Sequence, residues 1–177
     1  FISSAVDKCL PLVEPFVDAL VREIQAAGAL LQETGRAVRT VYVGGGTPTT
    51  LTAEQLDRVL SAMDAHLPLG RCAEFTVEAG RPDTITGEKL AVLARHGVDR
   101  VSVNPQSMSQ AVLERMGRPH SPEDIRRAYG AVRAAGDFAV NMDLIAGLPG
   151  DSAAGFAQSL TEVMALAPEN ITVHTLA

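Results

Sequence analysis

Apolar positions along this chain follow two alternating patterns. Short runs rich in β-branched residues recur at Val38–Val43, Phe75–Glu78, Val101–Val103, Val140–Ile145 and Ile171–Val173. Between them, apolar residues fall at helical spacing. Leu51, Leu56, Val59, Leu60 and Met63 mark one helix, with Thr52 as N-cap and Gln55 three residues on, the arrangement of a capping box. Leu90, Leu93 and Ala94 mark a second, ended by Gly97. Val112 with Met116, then Ile125 with Val132, mark two short helices parted by Gly117–Ser121. Phe156, Leu160, Val163 and Met164 mark another, and Val6 to about Leu31 a long first helix with prolines near its start. Strand–helix alternation points to parallel βαβ units. Short apolar strands suit a sheet covered on both faces. A doubly wound sheet and a partial β/α barrel both fit this pattern, and periodicity does not separate them. No low-complexity stretch or linker divides the 177 residues, which suit one domain or a large piece of one.

Composition narrows the picture. Apolar residues make up 46% of the chain and aromatics 4%, so aliphatic side chains must fill the core. The net charge of −6 speaks against a general nucleic-acid binder. No run of about 18 apolar residues predicts a membrane span. The start, Phe1-Ile2-Ser3-Ser4, has no basic region followed by an apolar one, so no signal peptide is expected. Cys9 and Cys72 are far apart and form neither a disulfide framework nor a metal-ligand run, as expected of reduced thiols in a cytoplasmic protein.

Candidate chemistry gathers where strands end, the place at which α/β folds put their sites. Gly44-Gly45-Gly46-Thr47-Pro48-Thr49 follows the first strand. Its glycines let a ligand approach the backbone, although a plain strand-to-helix turn would use them too. It is neither a Walker loop nor a dinucleotide fingerprint. Glu78 and Gln106 each close a strand, where they read either as solvated or structural groups or as ligand contacts. Asp143 sits in an apolar strand before Gly147-Leu148-Pro149-Gly150, and a carboxylate there is costly unless paired or ligand-bound. His174, after the last strand, reads as a structural histidine or a proton-transfer group.

In this order, Gly-Gly-Gly-Thr-Pro-Thr, a strand-end Glu, Ser-x-x-x-Gln-Ser and Asp-Leu-Ile-x-Gly-Leu-Pro-Gly resemble the oxygen-independent coproporphyrinogen III oxidase family of radical S-adenosylmethionine (SAM) enzymes. The family usually has Gly-Val or Gly-Ile before Gln-Ser. Asn104-Pro105 departs from that, and together with Asn141-Met142-Asp143 looks most like the coproporphyrinogen dehydrogenase branch called HemZ. The resemblance implies an α/β fold, a partial parallel (β/α) barrel of radical SAM type. It implies SAM contacts from Gly45, Gly46, Thr47, Glu78, Gln106, Arg118, Asp143 and Ala177, with Arg118 pairing with the methionine carboxylate. It also implies a [4Fe–4S] cluster on a Cys-x3-Cys-x2-Cys run. This chain has no such run, so cluster loop and first strand are expected upstream of Phe1, and further barrel downstream. The implied reaction is anaerobic oxidative decarboxylation of the tetrapyrrole coproporphyrinogen III, using an external electron donor. Some relatives are thought to deliver haem instead, and a radical enzyme on another substrate is a third reading.

Overall fold

The computed structural model describes residues 6–176. Phe1 and Ala177 lie outside the described residues, as does the side chain of Cys9. The elements run α1 (Val6–Glu33), β1 (Thr40–Val43), α2 (Ala53–His66), β2 (Glu74–Ala79), α3 (Gly87–Arg95), β3 (Arg100–Gln106), α4 (Gln110–Arg115), α5 (Pro122–Ala135), β4 (Ala139–Ala146), α6 (Ala153–Ala165) and β5 (Asn170–Thr175). Short 3₁₀ turns at Pro48–Thr50 and Pro82–Thr84 follow β1 and β2. The Thr52/Gln55 capping box opens α2. A second box, Ser121 with Asp124, opens α5 behind Pro122 at its first position.

The five strands are all parallel and lie in the order β1-β2-β3-β4-β5. This order settles the fold. A doubly wound sheet reverses direction at a switch point, whereas here each strand lies beside its predecessor. Right-handed crossovers then put every connecting helix on one face. The helices pack side by side as expected, α1 on α2, α2 on α3 and α3 on α5. The sheet is half of a β/α barrel, and its other face is the barrel interior.

Side-chain alternation sorts the strands between those two faces, which corrects the expectation of strands apolar on both sides. Val41, Phe75, Val77, Val101, Val103, Val140, Met142 and Leu144 are buried and join the core with Leu56, Leu60, Leu90, Leu93, Ile125, Val132 and Val163 of the helices. The intervening positions are Tyr42; Glu74, Thr76 and Glu78; Arg100, Ser102 and Asn104; Asn141 and Asp143; Asn170, Thr172 and His174. These polar residues line the interior, and Asp143 therefore stands in a polar wall rather than an apolar one.

Pro105 lacks the N–H a central strand needs, and the sheet bulges around it. Val103 pairs with Met142 and Gln106 with Leu144, so β3 spends one more residue than β4 over this interval. Gln106 emerges at φ 66°, left-handed backbone that a non-glycine residue rarely adopts.

Candidate functional site at the carboxyl ends of the strands

The interior wall carries a continuous hydrogen-bond network. Near the amino ends of the strands, Arg100 reaches Asn170 Oδ1 at 3.2 Å and Thr76 donates to Glu74 Oε1 at 2.9 Å. In the middle, Thr172 Oγ1 donates to Asn141 Oδ1 (2.9 Å), and Asn141 Nδ2 donates to Ser102 Oγ (2.8 Å) and to Asp143 Oδ1 (2.5 Å). Ser102 Oγ in turn donates to Asn104 Oδ1 at 2.9 Å.

Towards the carboxyl ends the wall becomes a mouth. Glu78 is level with Ser102 and Asn141, and Asp143 lies one inward position further along β4, so both carboxylates sit in the same half of the sheet. Tyr42 donates to Glu78 Oε1 at 2.7 Å. Burial, that bond and the negative charges of Glu78 and Asp143 all push the Tyr42 hydroxyl up, so it stays protonated as a donor. His174 Nε2 lies 3.7 Å from Asp143 Oδ2 and is largely exposed.

The glycine loop borders this mouth beside β2. Gly45 has φ 117°, which an L side chain would strain. A Cβ on Gly44 would strike the Tyr42 ring and lie 3.3 Å from Glu78 Oε2. Thr47 Oγ1 donates back to Gly46 O at 2.7 Å. Thr49 and Thr84 hydroxyls meet at 2.6 Å, and Lys89 Nζ donates to the carbonyls of Thr49 (2.6 Å) and Thr84 (3.1 Å). Lys89 thereby ties the loop after β1 to the loop after β2.

Arg118 enters from the α4–α5 connection, and its Nη1 donates to Gly80 O at 3.2 Å, just past β2. Burial and the like charge of Arg81 lower its pKa and Asp83 opposes them, but a guanidinium stays charged. Gln106 Oε1 is sealed from solvent with no hydrogen-bond partner among the described residues. A buried acceptor of this kind is costly without a ligand or water to satisfy it.

Asn104, Tyr42 and Lys89 were not singled out as site residues from sequence. Alternation along Val101-Ser102-Val103-Asn104 was the available signal for Asn104. Cys72 stands just ahead of β2, at the opposite end of the sheet, with Sγ donating to Glu74 O at 3.3 Å. Among the described residues no group of three or more His, Cys, Asp or Glu could hold a metal ion. No described helix is long and apolar enough to cross a membrane. A cavity of about 450 Å³ lies beside the mouth, lined by Pro82, His120 and Ala131 among others, and contains none of the inward-facing strand residues.

Comparisons with known proteins agree with this architecture. The Radical SAM superfamily profile matches residues 14–163. The chain is 47% identical to the oxygen-independent coproporphyrinogen-III oxidase-like protein HemZ of Bacillus subtilis, over 93% of this chain and 33% of that protein. It is 33% identical to the haem chaperone HemW of Escherichia coli, over 92% of this chain and 42% of the chaperone. The structure of coproporphyrinogen III oxidase (HemN) from Escherichia coli, described as a radical SAM enzyme, aligns with TM-score 0.83 and 30% identity, over 93% of this chain and 37% of that one. The chain thus spans a third to two fifths of the length of these relatives. A half-barrel in sequential order, polar inside and bordered by a glycine loop, matched along most of its length by one profile, makes this chain a member of the radical SAM superfamily, whose enzymes use SAM and a [4Fe–4S] cluster.

Proposed function

We propose that the mouth at the carboxyl ends of β1–β4 is the SAM site of a radical enzyme of haem biosynthesis. One observation carries this reading. Two carboxylates (Glu78 and Asp143) and a half-buried cation (Arg118) lie towards the carboxyl ends of the strands, away from the Glu74 and Arg100 pair at the other end of the wall. A zwitterionic ligand with a hydroxylated sugar is complementary to that combination of acceptors and one cationic donor. Arg118 would take the methionine carboxylate, and Glu78 and Asp143 the ammonium and ribose hydroxyls. The backbone of Gly45 and Gly46 leaves room for close approach. Ala177, outside the described residues, is assigned a backbone contact on resemblance alone.

Bound together, SAM and the cluster supply one-electron radical chemistry, and the protein supplies binding, orientation and electrostatics. The cluster thiolates are not among the described residues. The finer reading is oxidative decarboxylation of two propionate side chains of coproporphyrinogen III to vinyl groups. Similarity to HemZ and HemN supports it. Similarity to HemW supports a second reading, haem binding and delivery. The deciding experiment is anaerobic turnover of the full-length polypeptide with coproporphyrinogen III, SAM and a reductant. Decarboxylation to protoporphyrinogen IX is expected. Stable haem binding with no decarboxylation would establish the second reading in its place.

A further inference from the structure

We infer that Asn104 is a ligand-binding residue of this site, with its amide N–H groups aimed at the carboxylate of the bound amino acid. The inference rests on the SAM reading of the mouth and goes beyond it by adding a ligand contact at Asn104.

The orientation of this amide is fixed from three side chains away. The Asp143 carboxylate oxygen is the acceptor here, so Asn141 turns its Nδ2 towards it. Asn141 Oδ1 then faces Thr172 and accepts its hydroxyl proton. The same Nδ2 donates to Ser102 Oγ, which leaves the Ser102 hydrogen to be given to Asn104 Oδ1. Asn104 therefore has its oxygen engaged and its Nδ2 turned the other way. No acceptor among the described residues engages that nitrogen, and although Asn104 as a residue is only 8% exposed, the nitrogen is not one of the buried atoms left without a partner, so it faces open space. An amide held in one orientation with its N–H groups towards open space is a donor ready for a ligand acceptor, which would replace water there.

Its surroundings indicate what the acceptor is. A Cβ placed at Gly80 would lie 3.6 Å from Asn104 Nδ2 and 4.0 Å from Thr47 Oγ1. The missing side chain of Gly80 thus leaves open space bordered by the amide, and the guanidinium of Arg118 is held on the carbonyl of the same residue. The carboxylate of Glu78 is engaged on its β1 side by Tyr42. The mouth consequently has donors grouped around Gly80 and acceptors at Glu78 and Asp143. An α-amino acid offers the complementary pair, with its carboxylate towards Asn104 and Arg118.

The test is equilibrium binding to the cluster-reconstituted, unreduced full-length polypeptide, with two ligands: SAM and its decarboxylated form. Asn104→Ala should weaken SAM about tenfold, the value of one charge-assisted hydrogen bond, and change the decarboxylated ligand less than about twofold. Asn104→Asp keeps the oxygen that Ser102 needs and so preserves the wall. It replaces the donor by an anion and should weaken SAM further than alanine does, while leaving the decarboxylated ligand bound at least as well. Equal losses for both ligands in both variants would overturn the inference and make Asn104 a structural residue. Unchanged SAM affinity would overturn it as well. A wild-type protein that binds neither ligand would overturn the SAM reading itself, and the inference with it.

Discussion

Replacing Asn141 by aspartate tests the interior network at its hub. The change is isosteric, but it removes the only donor between positions 141 and 143 and puts a second carboxylate where Nδ2 now lies 2.5 Å from Asp143 Oδ1. Asn141 is 4% exposed, so water screens the pair poorly. Two carboxylates at about 3 Å do not both ionise, and one should bind a proton with a pKa raised by about three units. At about 1.4 kcal/mol per unit, the penalty at pH 8 is about 4 kcal/mol. The lost donor to Ser102 adds about 1 kcal/mol at every pH. The sign follows from proton uptake. The folded variant holds a proton that the unfolded chain has released, so its stability falls as pH rises from about 4 to about 7. At pH 5 the charge penalty has shrunk to about 1.5 kcal/mol. At roughly 2–4 °C per kcal/mol, the melting deficit against wild type should be about 10–20 °C at pH 8 and about 5–10 °C at pH 5. Thermal denaturation of the full-length polypeptide at both pH values measures this. A deficit independent of pH would refute the close coupling of positions 141 and 143.

Three further outcomes follow from other parts of the fold. His96 bridges Asp57 (2.6 Å) and Asp64 (2.5 Å) between α2 and α3; burial pulls its pKa down, the two carboxylate bonds push it up, and the net direction is up. Its stabilising contribution is therefore complete below about pH 6.5 and disappears as pH rises through the higher folded value, so His96→Gln should flatten the denaturation midpoint across that window. Lys89→Met should lower stability by about 2 kcal/mol by leaving the Thr49 and Thr84 carbonyls unpaired, and should also weaken SAM binding, because those carbonyls sit in the loops flanking Thr47 and Gly80; a stable variant with wild-type affinity would contradict the bracing role. Gly44→Ala should leave the melting temperature nearly unchanged, since the loop is exposed, yet reduce SAM affinity by displacing Tyr42 from Glu78; calorimetric titration distinguishes the two effects.

Much of the framework was legible in the sequence because it is local. The strand positions, the Thr52/Gln55 cap and the proline-bearing first helix all rest on spacing within a few residues. The Ser121/Asp124 box is equally local. Strand order was hidden because alternation specifies which face a residue takes, not which strand lies beside it. The polar interior was missed at Val101-Ser102-Val103-Asn104, where two valines made the run look apolar on both faces. Pro105 truncated the expected third strand, since sequence alone does not show the bulge that accommodates it. Asn104 could not be assigned a role from its neighbours in the chain, because its amide is oriented by Ser102, Asn141, Asp143 and Thr172 across three strands.

A structure of the full-length polypeptide with SAM bound tests the central claim most directly. The ligand should lie over the carboxyl ends of β1–β4, with its carboxylate at Arg118 and Asn104 and its ammonium and ribose towards Glu78 and Asp143. Ligand seated instead in the cavity lined by Pro82, His120 and Ala131, or on the interior wall near Arg100, would contradict it.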